Sequence, residues 1–112
     1  LDILKEQAGD RGIRNTLLHL LSNDVNAGVR LKALESLKQY SRHPEVRQAL
    51  IGVLTRDGNP GMRVQAIELL MEAQDHNLVG VLQDVAQKEE NNYVRMRCRD
   101  ALRSMNASVE TF

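Results

Sequence analysis

The feature that most constrains the fold of this chain is an internal repeat with a period of about 33 residues, a length typical of two-helix repeat units. The heptapeptide Asp24–Arg30 (DVNAGVR) returns one period later as Asp57–Arg63 (DGNPGMR). It returns in a looser form after nearly the same step, as Glu89–Arg95 (EENNYVR). A nearly constant step of this size indicates about three copies of one small unit, which bury a common core by stacking on one another.

Each copy carries two apolar blocks with helical spacing. The blocks ahead of the acidic residue are Leu17–Leu21, Leu50–Leu54 and Leu82–Ala86. After the arginine, small or apolar residues recur four positions apart, in the pairs Ala33 and Leu37, Ala66 and Leu70, and Cys98 and Leu102. No stretch keeps the two-residue period of a strand, so we predict an all-α solenoid of helix A, tight turn and helix B. The predicted spans are 12–22, 44–55 and 76–88 for helix A, and 27–40, 60–73 and 92–105 for helix B.

Local signals support these helix starts. Helix B is predicted to begin after an asparagine N-cap in every repeat, at Asn26, Asn59 and Asn91. Pro60 and Pro44 then occupy the first helical position, where the missing N–H of proline costs nothing. Asp10 and Asp75 are the predicted N-caps of the first and third helix A.

The spacing Asp-x5-Arg, with Val29-Arg30-x-x-Ala33 opening helix B, resembles the HEAT-repeat family, and most of all its short bacterial, bilin-lyase-type members. The resemblance implies a right-handed superhelical stack, and it says little about activity. It also implies a structural ladder of hydrogen bonds between repeats, made by Asp24, Arg30, Asp57, Arg63, Glu89 and Arg95. A turn between stacked repeats does need partners for its backbone groups, although a ligand-binding role is the alternative. Glu89 departs from the aspartate of the first two repeats.

The domain boundaries follow from the repeat. We expect one domain over residues 1–112, with repeats at 10–41, 42–74 and 75–106 and a tail at 107–112. Shifted by one period, residues 1–8 fall on the end of a helix B, because Leu1 and Leu4 align with Leu34 and Leu37. They are therefore predicted to be the remnant of a preceding repeat, in a fragment of a longer protein.

The two ends of the array differ in sequence. The stacking positions of Leu18 and Ile51, and of Leu34 and Ile67, become polar in the last repeat, as Gln83 and Arg99. This change predicts a C-terminal cap. The other end would expose Ile3, Leu4 and Ile13, so we expect self-association there.

Composition excludes several classes of protein. Fifteen basic and fifteen acidic residues give no net charge, and three aromatic residues are too few for a base-stacking platform, so nucleic-acid binding is disfavoured. One cysteine excludes a disulfide framework or a multi-cysteine zinc site. The chain has neither an apolar run of membrane-spanning length nor an opening signal peptide. We expect a soluble, intracellular domain, or the soluble domain of a membrane-anchored parent, with no cofactor, metal or membrane contact of its own.

Individual candidate residues have simple structural interpretations. His19, His43 and His76 are predicted to be exposed or to cap helices, because no two of them can share a metal at ligand distance. Cys98 takes the place of Ala33 and Ala66 and is predicted to pack as a small buried hydrophobe.

The last helix B concentrates arginines, at Arg95, Arg97, Arg99 and Arg103. A nucleic-acid role would begin there, but the groove aromatics of helical-repeat glycosylases are missing.

The predicted binding surface is the exposed side of helix B. Positions two, five and nine after each ladder arginine share one face, and they are Lys32, Glu35, Gln39, Gln65, Glu68, Glu72, Arg97, Asp100 and Ser104. Across repeats they form a partly basic row, Lys32–Gln65–Arg97, beside an acidic row, Glu35–Glu68–Asp100. Local pairs three residues apart, Lys32 with Glu35 and Arg97 with Asp100, would explain the pattern without a partner.

Three functional hypotheses remain open at this point. The first is a non-catalytic protein-interaction or scaffold module that binds a partner along the helix-B face. The second is the C-terminal part of an enzyme that resembles bilin lyases or helical-repeat DNA glycosylases. The third is the regulatory domain of a membrane-anchored, anti-sigma-like zinc-finger protein. Upstream sequence would distinguish them.

Overall fold

The computed structural model describes residues 2–73 and 77–105, and these residues form six α-helices. Side chains are described for residues 10–73 and 77–105. The helices are α1 Asp2–Asn23, α2 Ala27–Leu37, α3 Pro44–Arg56, α4 Pro60–Glu72, α5 Leu78–Lys88 and α6 Asn92–Ser104. A 3-10 turn at Lys38–Tyr40 extends α2. Since these described ranges contain helices and no strand, the all-α prediction is confirmed.

The three predicted asparagine N-caps of helix B are confirmed. Asn59 has extended backbone dihedrals, and its side-chain oxygen accepts hydrogen bonds from the backbone N–H groups of Gly61 at 2.8 Å and Met62 at 3.4 Å. Asn26 and Asn91 cap α2 and α6 in the same manner. Each asparagine therefore satisfies donors that the first helical turn leaves without intrahelical partners.

The predicted N-cap at Asp10 is wrong. α1 runs without a break from Asp2 to Asn23, so Asp10 lies inside a helix. The segment around Asp10 contains glycines, Gly9 and Gly12, but no proline. A glycine costs a helix only about 1 kcal/mol relative to alanine, which is too little to end a helix that packs along α2.

Other helix boundaries lie close to their predicted positions. The predicted helix at 27–40 is α-helical only as far as Leu37 and then tightens into the 3-10 turn. α5 begins at Leu78, and Asn77 occupies its N-cap position without a side-chain capping bond. The predicted cap at Asp75 lies outside the described residues, as do His76 and the tail at 107–112.

The chain divides into two compact units, residues 1–49 and 50–112. In the first unit, α2 packs against α1. In the second unit, α6 packs against both α5 and α4. The small and apolar positions predicted from the repeat are all buried, and they are Ala33, Leu37, Ala66, Leu70, Cys98 and Leu102. Alanine or cysteine at the first position of each pair keeps the side chain short where the helix meets its neighbours.

Removing the cap of α4 tests the local basis of the repeat. We expect Asn59→Ala to lower the free energy of unfolding by about 1 kcal/mol, because two N–H groups of the first turn lose their acceptor. Urea unfolding followed by circular dichroism measures the change. Asn59→Asp, which keeps an acceptor oxygen, is the matched control and should stay within about 0.5 kcal/mol of the wild type. Equal stability of the alanine variant and the wild type would contradict the capping role.

Candidate functional site

The three turns between helix A and helix B share one hydrogen-bond pattern. In the middle turn, the Asp57 carboxylate accepts from the backbone N–H of Asn59 at 2.9 Å, and the Arg63 guanidinium donates to the backbone carbonyl of Asp57 at 2.8 Å. The first turn repeats both bonds with Asp24 and Arg30, at 2.9 and 3.0 Å. The arginine that ends the heptapeptide thus folds back and closes its own turn.

The third turn keeps this pattern although its acid is a glutamate. Glu89 accepts from the N–H of Asn91 at 3.0 Å, and Arg95 donates to the carbonyl of Glu89 at 3.0 Å. Arg95 also bonds the side chain of Asn92. The longer glutamate side chain therefore fulfils the same local role as the aspartates.

One contact of the predicted ladder joins successive repeats within the second unit. The Nε and Nη2 atoms of Arg63 donate to the two carboxylate oxygens of Glu89, both at 2.9 Å. The side chains are 14% and 9% exposed, so the pair is largely withdrawn from water. A bidentate, partly buried arginine–carboxylate salt bridge is stronger and more directional than an exposed ion pair. A corresponding bond between Arg30 and Asp57 stays a prediction.

The pair changes the acidity of Glu89. Burial alone would raise the pKa of this carboxyl, but the hydrogen bond and charge of Arg63 and the backbone N–H groups of Asn91 and Glu90 outweigh it. The net result is a pKa below the ordinary value of 4.5. The ionised form of Glu89 is therefore favoured by folding.

The pair lies in an open surface groove of about 540 Å³. The walls of the groove mix Arg56, Asp57, Lys88 and Glu90 with the Arg63–Glu89 pair. The lining contains both cationic and anionic side chains, and the carboxylate of Glu89 is already bound by Arg63. The central charges of the groove therefore pair with each other, and this arrangement suits a structural role.

The predicted helix-B face is accessible at every one of its nine positions. In the first unit, α2 and the turn that extends it present Lys32, Glu35 and Gln39. In the second unit, Gln65, Glu72 and Ser104 are exposed. The remaining three, Glu68, Arg97 and Asp100, are half-buried because they contact one another.

These contacts include the predicted ion pair of Arg97 with Asp100 and also a contact that the sequence did not suggest. The guanidinium of Arg97 reaches across to the preceding helix B and donates to Glu68 at 3.0 Å. Its distance to Asp100 on its own helix is 3.9 Å, and Asp100 accepts instead from Arg103 at 3.2 Å. Arg97 therefore joins α6 to α4. The spacing of residues along one helix gave no signal for this contact.

An ion pair between helices in the first unit was also missed. Arg14 of α1 lies 3.0 Å from the carboxylate of Glu45 at the start of α3. The arginine side chain is mostly buried, and the glutamate is about half exposed. Neither residue belongs to the repeated heptapeptide, so the repeat pattern carried no information about it.

The histidine and cysteine predictions fit where these residues lie. His19 and His43 are exposed; the backbone carbonyl of His43 accepts bonds from the N–H groups of Val46 and Arg47 at the start of α3. Cys98 is fully buried, and this burial, with a smaller effect of the Glu89 charge, raises the pKa of its thiol to about 11.

Among residues 10–73 and 77–105, no three histidine, cysteine or acidic side chains group closely enough to hold a metal ion. No helix in the described ranges is long and apolar enough to cross a membrane.

The Arg63–Glu89 pair predicts a pH-dependent stability difference. Because folding lowers the pKa of Glu89, its contribution is complete above about pH 4.5 and is lost as the pH falls through the folded-state pKa. We expect Glu89→Gln to unfold about 1–2 kcal/mol more easily than the wild type at pH 7, and this gap to shrink at pH 3. Urea unfolding at both pH values gives the difference. Glu90→Gln, in the same turn but exposed, should show no comparable gap, and an equal gap at both pH values would contradict the role of Glu89.

The burial of Cys98 predicts an unreactive thiol. With a pKa of about 11, roughly one thiol in a thousand is ionised at pH 8, and the side chain has no exposed surface. A thiol reagent should modify the folded protein at the rate of unfolding, and the unfolded protein far faster. The double variant Cys98→Ala, Ser104→Cys moves the thiol to an exposed position of α6 and should react at once. Fast modification of native Cys98 would refute its place in the core.

Comparison with known proteins agrees with this architecture. The family model for HEAT repeats matches residues 14–103, which include all three turns and the greater part of the described helices. No curated protein and no solved structure matches the chain. The narrower resemblance to bilin-lyase-type repeats and the anti-sigma parentage stay predictions. With a match over four fifths of its length, the chain belongs to the HEAT-repeat family.

Proposed function

We propose that this chain is a non-catalytic protein-interaction module that binds a partner protein through the helix-B face. HEAT repeats commonly serve as protein-interaction scaffolds, so membership of the family supports the general role. The choice of face rests on one observation, the charged network of Arg97, Glu68 and Asp100 on α4 and α6. Charged groups held in place by neighbouring helices lose little conformational entropy when a partner binds them.

The network also defines the chemistry of the partner. Arg97 is shared between two carboxylates, and each of those carboxylates retains about two fifths of its surface in water. A partner with cationic groups can therefore bind the outer oxygens of Glu68 and Asp100 without breaking the bond between α6 and α4. The exposed amide of Gln65 and hydroxyl of Ser104 add neutral hydrogen-bonding groups at the edges. We infer a partner segment that is mainly basic and polar where it meets the second unit.

Charge reversal tests this proposal. The triple variant Glu35→Lys, Glu68→Lys, Asp100→Lys reverses the acidic row of the face. The matched control is Asp10→Lys, Asp84→Lys, Glu90→Lys, which changes net charge equally at acids outside the face. Proteins captured by immobilised wild type would be identified, purified and titrated against all three forms, with circular dichroism confirming that each variant is folded.

We expect the face variant to weaken binding of the purified partner at least tenfold and the control to change it less than twofold. Interfacial charges in register with a partner support such a difference, whereas net charge alone would affect both variants equally. Equal binding by the face variant and the wild type would refute the helix-B face as the binding surface. Turnover of a captured small molecule by the wild type would refute the non-catalytic role.

A further inference from the structure

A second surface of α6 combines exposed apolar and basic side chains. Tyr93 is 57% exposed and Met96 is 47% exposed, and Arg99 and Arg103 are also exposed. Steps of three, three and four positions place these four side chains along one side of the helix, which we call the α6 outer stripe. The helix-B face residues Arg97 and Ser104 lie to one side of it, whereas Asp100 lies beside Arg103 and bonds it.

The two central positions of the equivalent stripe in the preceding repeat are buried, whereas the outer two are exposed at Gly61 and half-buried at Met71. When the N-caps Asn91 and Asn59 are aligned, Met96 falls on Val64 of α4 and Arg99 falls on Ile67. Val64 and Ile67 are only 8% and 1% exposed, and α4 packs against α6. This side of helix B is therefore one that packs against other helices in this fold. At α6, however, nothing in the described part of the chain covers it.

The charge of the stripe indicates what could cover it. Within the described ranges, Arg99 pairs with no carboxylate. Among the described residues Arg103 bonds Asp100, at 3.2 Å and with two thirds of its own side chain in water, so an anionic partner can bind it as well. Surface pairs of this kind contribute less than about 1 kcal/mol and are readily exchanged.

We propose that the α6 outer stripe binds an amphipathic helix of another protein, whose apolar side chains cover Tyr93 and Met96 and whose acidic side chains pair with Arg99 and Arg103. A helix suits the stripe because α6 already presents ridges spaced for helix packing. A second copy of this chain is a less suitable partner, because its stripe carries the same two cations, Arg99 and Arg103, and supplies no carboxylate to pair with them. The inference uses other side chains than the helix-B face, although Arg103 of the stripe bonds the face residue Asp100.

Nucleic acid is the weaker alternative for this basic helix. Of the four arginines of α6, Arg95 bonds the carbonyl of Glu89 and Arg97 bonds Glu68. A phosphate backbone would have to compete with both bonds. It would also leave the apolar side chain of Met96 without a favourable contact. An acidic, apolar partner uses the whole stripe.

Two designed peptides test the proposal on the full chain. Both are about 20 residues long, because isolated helices shorter than about 12–15 residues are marginal in water. Each has one leucine stripe, which is flanked by glutamates in the first peptide and by lysines in the second. Backbone amide chemical shifts in isotope-labelled protein report the binding surface, and fluorescence anisotropy of labelled peptide gives the affinity. We expect the glutamate peptide to shift the amides of α6 and to bind at least tenfold more tightly than the lysine peptide.

Substitutions in the stripe test whether the peptide binds there, because they should lower its affinity. Arg99→Glu, Arg103→Glu should weaken the glutamate peptide at least tenfold, and Met96→Gln about threefold to tenfold. The matched control, Arg11→Glu, Arg56→Glu, reverses two exposed cations elsewhere and should change binding less than twofold. The face substitutions Glu35→Lys and Glu68→Lys alone, which keep the Asp100–Arg103 pair, should leave these values unchanged, so the two proposals fail separately.

Four results would overturn the proposal. The first is equal binding of both peptides, and the second is shifts confined to other helices. The third is tighter binding of a short DNA or RNA duplex than of the glutamate peptide. The fourth is occupation of the stripe without a partner, seen as a dimer in sedimentation, or as peptide binding only after residues 106–112 are removed.

Discussion

The arginine that closes each turn between helix A and helix B is the interaction on which this structure most depends. A tight turn between packed helices contains carbonyl and N–H groups that have no partner within a helix. The guanidinium supplies the carbonyl's donor, the acidic side chain accepts one N–H, and the asparagine accepts the next two. Three side chains thus satisfy the turn locally, whatever the rest of the repeat contains. This local sufficiency explains why the heptapeptide is repeated more faithfully than the helices around it.

The same guanidinium has further N–H donors that the turn does not use, and in Arg63 these donors bond a residue of the next repeat. Arg63 uses one Nη atom for its own turn and directs its Nε and other Nη atom to Glu89 in the next repeat. A lysine could close the turn or reach the neighbouring acid, but a single ammonium lacks the fixed fork that does both. Glu89 in turn accepts from its own Asn91 and from Arg63, so its carboxylate serves two repeats at once. Packing between these successive repeats is thereby held in one register by a directional bond as well as by apolar contact.

Sequence patterns predicted those parts of the structure that local chemistry decides. The starts of α2, α3, α4 and α6 followed from asparagine and proline, because capping and the missing proline N–H act within one helical turn. The break expected at Asp10 failed because its signal was a capping residue alone, with no proline to force the helix to begin there. Contacts between distant segments could not be predicted from spacing. Arg97 lies 3.9 Å from Asp100, as expected, but its hydrogen bond goes to Glu68, which is far away in the sequence and becomes a neighbour only when α6 packs against α4.

The arginines of α6 show why a cluster in the sequence is not yet a patch on the surface. Arg95 points back to the turn that precedes its helix, and Arg97 crosses to α4. Arg103 pairs with Asp100 one turn away, which leaves Arg99 one turn from Met96 on the outer stripe. One short helix therefore divides four like charges among a structural bond, a bond between repeats and two exposed positions with apolar neighbours. Because the HEAT fold itself specifies no activity, what a HEAT repeat recognises depends on the side chains that each face presents, and α6 presents different ones on each of its faces.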